Sequence, residues 1–369
     1  MQIKKMNIKK TIKYKIMKKE QTIAIFSRKN ITNYGDPIIG DCLQYIINQF
    51  VDKKNFKVKI YDIYKHKNDT EKRNKYYKKV VKDSSAVVFP GGGINSLKFN
   101  QLIKELIDTC EEENVNFYFN AIGLLKINPN EENVELLKEL FNTDCVKQIT
   151  TRGDFTCLQS YAPDKRISNI SDPGIFASET YNVKKDKKSE VIGLGLIRPE
   201  IFEANKNSQS VETIFKMYKD LINVMIEKKV EFKLFCNGMK KDYEFGLEVL
   251  NELNLDVDKY MADLPKSSIE LVECISQFKG IIAARMHANI IATSLDVPTV
   301  GLVWNDKMNL FAAMIDRKEF YLSEKDLMDA NKIYNKLQSS IKKSYDKKKI
   351  DSLKKEASNS VEIIIENLY

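Results

Sequence analysis

Histidine is almost missing from this chain: His66 and His287 are the only two in 369 residues. A side chain that exchanges protons near neutral pH can therefore sit in only two places. The six cysteines, at 42, 110, 145, 157, 236 and 274, include no Cys-x-x-Cys pair. Such scatter argues against a zinc site or a disulfide framework and for free thiols in a reducing compartment. No apolar run approaches the roughly 20 residues that a membrane-spanning helix needs. The first 20 residues are basic but lack the apolar block of a signal peptide. They read as a disordered extension, unless Met17 is the true start. The expected location is the cytoplasm. Neither Gly-x-Gly-x-x-Gly nor a Walker motif occurs, so a bound dinucleotide or P-loop triphosphate is not indicated. There is no aromatic-interleaved basic motif or zinc-finger spacing, which speaks against nucleic acid.

What is present describes a globular protein. Apolar residues make up 43% and charged residues 30%, with a formal charge of +9. The length allows two domains of about 100–200 residues each. Lysine tracts at 4–19, 53–82 and 184–188 read as solvated faces. A basic surface favours anionic substrates, or peripheral contact with an acidic membrane surface such as the inner face of the cell membrane.

Strands and helices are expected to alternate. Strands at 22–27, 58–61, 86–89, 115–120, 146–151 and 166–170 are separated by helices at 38–50, 70–82, 97–113, 131–141 and 154–161. After Asp172-Pro173-Gly174 and a polar stretch the rhythm restarts: strand 190–196, helix 209–228, strand 231–235, and helices 242–253 and 267–277. A strand–helix–strand unit follows at 280–303, then helices at 323–342 and 346–368. This rhythm predicts an α/β protein with two doubly wound, Rossmann-like domains facing a cleft. The expected division is an extension at 1–20, domains at 21–177 and 178–322, and C-terminal helices at 323–369 that could cross back to the first domain.

Open parallel sheets bind ligands beyond the carboxyl ends of their strands, where helix N-termini favour anions. Candidate residues fall at those places. Arg285 and His287 follow the strand at 280–284, and Arg152 follows the one at 146–151. Asn33, Gly35 and Asp36 follow the first strand, where Asp36 could cap the next helix or act on a substrate hydroxyl. Gly91, Gly92 and Gly93 follow the third and could bring backbone N–H groups close to a ligand, with Asn95 just beyond. Gly193, Gly195, Arg198, Asn237 and Lys307 take similar positions in the second half. His66, in a lysine-rich stretch, reads as surface. No cluster has metal-ligand spacing, so no metal is expected.

The ordered set Asn33-Tyr-Gly35-Asp36, Phe89-Pro-Gly91-Gly92-Gly93, Thr151-Arg152, and Arg285-x-His287 with its Ala-rich helix, Val-Pro, strand and Asp-Lys resembles the polysaccharide pyruvyl transferases. It spreads over most of residues 22–315. Two departures are Asp296, where glycine is expected before Val-Pro, and Gly153-Asp154 after the arginine. The resemblance implies a GT-B-like architecture and transfer of a pyruvyl group from phosphoenolpyruvate to a sugar, as a ketal. The donor is a substrate, and no cofactor is implied. His287 would then be the acid, suited by an ordinary pKa of about 6.5. Asp36 would be the base, with Arg285, Arg152 and the three glycines holding the donor. The acceptor could be free, lipid-linked or polymeric. A nucleotide-sugar glycosyltransferase of the same architecture, or an inactive sugar-binding relative, is the alternative.

Overall fold

The computed structural model describes residues 21–94, 96–124, 131–153, 155–204 and 209–368. Two parallel sheets organise the chain. The first holds β1 (Gln21–Ser27), β2 (Phe56–Asp62), β3 (Ser84–Phe89), β4 (Gly92–Gly93), β5 (Asn116–Gly123), β6 (Val146–Thr151) and β7 (Ile167–Asn169). Its order is β2-β1-β3-β5-β6-β7, with β4 pairing β5. The second holds β8 (Ile192–Gly195), β9 (Phe232–Phe235), β10 (Gly280–Ala283), β11 (Thr299–Leu302) and β12 (Tyr321–Leu322), in the order β12-β11-β10-β8-β9. In each sheet the first strand of the half, β1 or β8, is flanked on both sides by later strands. That reversal of winding opens a crevice at the carboxyl edge.

Burial explains why the strands carry little alternation. Residues 22–27 and 86–89 are buried throughout, as are β8, β10 and β11, because helices cover both faces of a doubly wound sheet. Helix 35–50 buries Ile38, Ile39, Cys42, Leu43, Ile46 and Ile47 at helical spacing. Helix 211–227 does the same with Ile214, Met217, Tyr218, Leu221, Ile222 and Met225, and Ser210 caps it by accepting the Thr213 N–H. No described helix is long and apolar enough to cross a membrane.

Local differences from the expected pattern have simple causes. The strands at 92–93 and 321–322 are two residues long, too short to show a period. The helix expected at 323–342 starts at Ala330, after a 3-10 turn at 324–326. The helix expected at 346–368 is two helices, 347–359 and 362–366. The second of these packs on the first sheet. Ala357, Val361 and Ile364 join Ile23, Ile25, Val88 and Tyr118 in one apolar cluster. Asn120 Nδ2 donates to Ser360 Oγ at 2.7 Å, so the end of the chain closes over the first domain.

Asp296, one of the two departures from the family pattern, has a backbone that glycine would suit. Its φ is +58°, in the left-handed region that costs most side chains energy. It ends helix 286–294 in a Schellman turn: Val297 N–H donates to Ala292 O at 2.8 Å and Asp296 N–H to Thr293 O at 3.2 Å. Aspartate tolerates this conformation better than most residues, glycine better still. Asp296→Gly should therefore stabilise the protein by about 0.5–1 kcal/mol, raising the urea midpoint with an unchanged slope. A lower midpoint would mean that the aspartate makes a stabilising contact beyond its backbone.

Candidate active site

Three cationic side chains of the crevice come from different elements. Arg28 follows β1 and lies over the Phe99 ring, 4.1 Å from its centre. It donates to Gly93 O at 2.5 Å and stands 3.3 Å from Asp36 Oδ2. The glycine run makes this seat possible. Gly92 has φ +100°, and a Cβ there would lie 2.9 Å from Arg28 Nη1. Gly91 has φ +101°, and its Cβ would meet the Ala121 carbonyl at 2.6 Å. The described contacts of these glycines are thus with Arg28 and the backbone of β5, residues 120–123. Arg152 follows β6, and Lys307 lies in the first turn of helix 306–314. Their side chains meet over Gly123, whose added Cβ would be 3.6 Å from Lys307 Cε and 3.7 Å from Arg152 Nε.

His287 stands among them, in the first turn of helix 286–294 with Arg285 at the N-cap. A Cβ on Gly35 would come within 2.5 Å of both His287 Cβ and Nδ1. Only glycine there lets helix 35–50 of the first domain approach this closely. The imidazole Nε2 is 3.1 Å from Arg152 Nη1 and 3.8 Å from Asp172 Oδ2; Nδ1 is 3.9 Å from Asp36 Oδ1. Arg152 and Asp172 form a buried ion pair. A guanidinium can only donate, so Nε2 accepts and the ring proton is assigned to Nδ1, on the Asp36 side.

These surroundings correct two expectations. Asp36 does not cap helix 35–50: Tyr34 is at the N-cap, with no side-chain cap bond. Its carboxylate is left to face Arg28 and His287. Burial works to raise the Asp36 pKa, but Arg28, His287 and Arg152 outweigh it and hold the group below its ordinary value. His287 does not titrate near neutrality. Burial first, then Arg152, with Lys307 and Arg28 adding and Asp36 opposing, lowers its pKa to about 3. Desolvation and three cations outweigh the nearby carboxylates. Burial and the neighbouring arginines lower Lys307 to about 8, against the pull of Asp36. The cluster therefore holds Arg28, Arg152 and Lys307 as cations, Asp36 and Asp172 as anions, and a neutral histidine.

Arg285 points to a second group of charges. Its Nε and Nη2 donate to Asp242 Oδ2 at 2.9 and 2.6 Å. Arg198 adds its backbone N–H, 3.2 Å from Asp242 Oδ1, and its Nη1 at 3.4 Å. Asp242 is fully buried, whereas the Arg285 and Arg198 side chains keep 15% and 24% of their surface open. They leave a half-buried cationic edge. Asn237 and Asn33 lie where the domains touch: Tyr34 N–H donates to Asn237 O at 3.0 Å, and Asp36 N–H to Asn33 O at 3.1 Å. Gly193 and Gly195 belong to β8, where an added Cβ would strike Phe278 at 2.5 Å or Ala283 at 2.8 Å. Their role is close packing inside the sheet. Asn95 lies outside the described residues. Among the described residues no three His, Cys, Asp or Glu side chains are grouped to hold a metal ion.

Arg28 and Asp172 complete these groups without having stood out in the sequence, whereas Asp242 follows Asn237 beyond the strand at 231–235 and reads as a sheet-edge position with it. Arg28 carried the available signal, since it follows a buried strand as Arg152 does. Asp172 read as part of a chain break. It does open a 3-10 turn, where its Oδ1 accepts the Gly174 N–H at 2.7 Å, while its other oxygen serves Arg152.

Comparison with known proteins agrees with this architecture. The chain is similar to the UDP-GlcNAc 2-epimerase of Methanocaldococcus jannaschii, with a TM-score of 0.63 at 10% identity over 94% of this chain and 100% of the other. It is similar to the Neisseria meningitidis UDP-GlcNAc 2-epimerase bound to UDP-GlcNAc, with a TM-score of 0.58 at 12% identity over 94% and 99%. An S. aureus MnaA–UDP co-structure gives 0.59 at 13% identity over 95% and 98%. These likenesses show the GT-B-like fold. A search among curated proteins finds no match. The polysaccharide pyruvyl transferase family model matches residues 33–306, a span that runs from Asn33 through Arg152, Arg285 and His287. The chain belongs to the polysaccharide pyruvyl transferase family.

Proposed function

We propose that this transferase moves the pyruvyl group of phosphoenolpyruvate onto two hydroxyls of a sugar, in a cell-surface polysaccharide or its precursor, forming a ketal and releasing phosphate. The observation that carries the reading is the group of buried Arg152 and half-buried Arg28 and Lys307 around His287. It has more positive than negative charge, and the donor brings a carboxylate and a phosphate. The Arg285–Arg198 edge adds a further place for an anionic group.

In this reaction a proton goes to the vinyl methylene, and positive charge develops at the adjacent carbon. A sugar oxygen attacks that carbon and gives its proton to a base, Asp36 in our reading. The carbon–oxygen bond to phosphate then breaks, and the second sugar oxygen takes its place. One hydroxyl proton is recovered in the new methyl group and the other leaves with phosphate, so the protons balance.

His287 is the acid in our reading, although burial and its neighbours hold it neutral in the protein alone. A pKa of about 3 puts roughly 5 kcal/mol against the imidazolium at its ordinary pKa. One negative charge at about 4 Å is worth about 4 kcal/mol at an effective dielectric constant of 20. The donor's two anionic groups are therefore enough to restore the proton. An anion on Arg152 would also free Nε2 from the guanidinium.

Two outcomes are expected. With phosphoenolpyruvate and a panel of sugar acceptors, phosphate release should match the appearance of a pyruvylated sugar by mass spectrometry, undiminished in excess chelator. Phosphate release without a modified sugar, or transfer only from a nucleotide sugar, would overturn the reading. In addition, donor binding at pH 7 should take up close to one proton, read by calorimetry in buffers of different ionisation enthalpy. The sign follows from His287, unprotonated in the free protein above a pKa of about 3 and protonated in the complex. His287→Gln should lose that uptake and about 10²–10⁴ in turnover, while donor affinity stays within a few-fold. Normal turnover in the folded variant would move the acid elsewhere.

A further inference from the structure

We infer that Lys307 receives the donor's phosphoryl group and carries its charge as it leaves, working with Arg152 across Gly123. The inference rests on the donor reading above and adds a residue and a role to it. Among the described cations of the crevice, Arg28 faces Asp36, Arg152 pairs with Asp172, and Arg285 and Arg198 share Asp242. Lys307 has no carboxylate within ion-pair distance among the described residues. Its charge is left for a ligand, as is the excess charge of the Arg285–Arg198 edge.

The place is also shaped for an anion. The Lys307 and Arg152 side chains converge on Gly123, where the absence of a side chain keeps open the space between them. Gly92 O bounds the same spot, 3.7 Å from the position of an added Cβ. Lys307 lies in the first turn of helix 306–314, so unpaired backbone N–H groups sit at the same end of the helix. When the carbon–oxygen bond breaks, its electron pair goes to the phosphate oxygen. An ammonium at that oxygen stabilises the charge as it develops, as other phosphoryl sites do with lysine.

The charged groups facing Lys307 from other elements are Arg152 after β6, Asp36 on helix 35–50 and Arg28 after β1, with the titratable but neutral His287 on helix 286–294. With its pKa near 8, Lys307 is charged at neutral pH and loses its proton at moderately alkaline pH. The donor's phosphoryl group, with a second pKa of about 6, is fully ionised across that range. An alkaline fall in donor affinity would therefore report the protein and not the ligand.

The test is calorimetric titration with phosphoenolpyruvate and with inorganic phosphate, from pH 7 to about 9, a limit below the value of about 10 to which burial, with Arg28 adding and Asp36 opposing, lowers Arg152. The titration is run in the His287→Gln background, because proton uptake by His287 would itself make affinity fall with pH. There, affinity for phosphoenolpyruvate should fall above a pH of about 8, approaching tenfold per unit. Lys307→Met should weaken both ligands by about 10–100-fold at pH 7, the range for a charge-assisted hydrogen bond, and abolish the alkaline fall. Lys307→Arg should keep most of the affinity and remain flat across the range. Gly123→Ala keeps every charge, and its methyl makes only ordinary contacts, so the protein should fold while phosphate binding weakens. Undiminished binding of both ligands by folded Lys307→Met overturns the inference and leaves the donor reading standing. Lys307-dependent binding of phosphate without phosphoenolpyruvate keeps the anion site and removes the donor. Binding of neither ligand by the wild type removes both.

Discussion

The buried pair of Arg152 and Asp172 is the interaction on which the rest of this site depends. Arg152 comes from the edge of the first sheet, and Asp172 from the segment that leads toward the second. His287, from the second, places Nε2 within 3.1 Å of the guanidinium. Removing one partner of a buried pair typically costs about 3–5 kcal/mol, because the other charge is left without compensation. Here the cost would not stay local. Asp172 also accepts the Gly174 N–H, and the 173–176 turn it opens packs against helices 35–50 and 286–294. The same carboxylate thus orients an arginine of the site and fixes the turn at which the two domains meet.

Around that pair like charges are crowded together. Burial and three nearby cations keep His287 neutral, and desolvation lowers Lys307. A site of this kind holds its cations close together at a cost, and an anionic ligand relieves it. The strain is electrostatic, and it is supported by packing. Arg28 is held by the Phe99 ring and by the Gly93 carbonyl. Gly35 and Gly92 remove side chains where His287 and Arg28 need the room. The family's glycines serve here to bring charged side chains together, and the site's chemistry follows from that closeness.

Asp242 plays a comparable part in the second domain. It is fully buried at the start of helix 240–252 and takes hydrogen bonds from both Arg285 and Arg198. The helix N-terminus favours its negative charge. The two guanidiniums are oriented by one anion they share, with one positive charge in excess. The chain's last helices pack beside the turn that Asp172 opens, where Ser171 Oγ donates to Leu353 O. They join the first domain's core through Ala357, Val361 and Ile364, so the polypeptide that leaves the first domain at 172 returns to it before it ends.

Much of the architecture was legible from the chain alone. Buried runs separated by amphipathic stretches predict parallel strands and helices, because each element's burial is written in its own neighbours along the sequence. The ordered motifs around Gly35, Gly91–Gly93, Arg152 and His287 were legible for a similar reason: each is a local turn after a strand. Asp296 shows the same economy, since the helix-ending turn it occupies explains why glycine is expected there. What the sequence could not contain is the charge state of His287, the pairing of Arg152 with Asp172, or the part played by Arg28. Arg152 and His287 are 135 residues apart, and a pKa is set by the distance and burial of charges in space. Only the folded chain, by closing two sheets on one crevice, decides those distances.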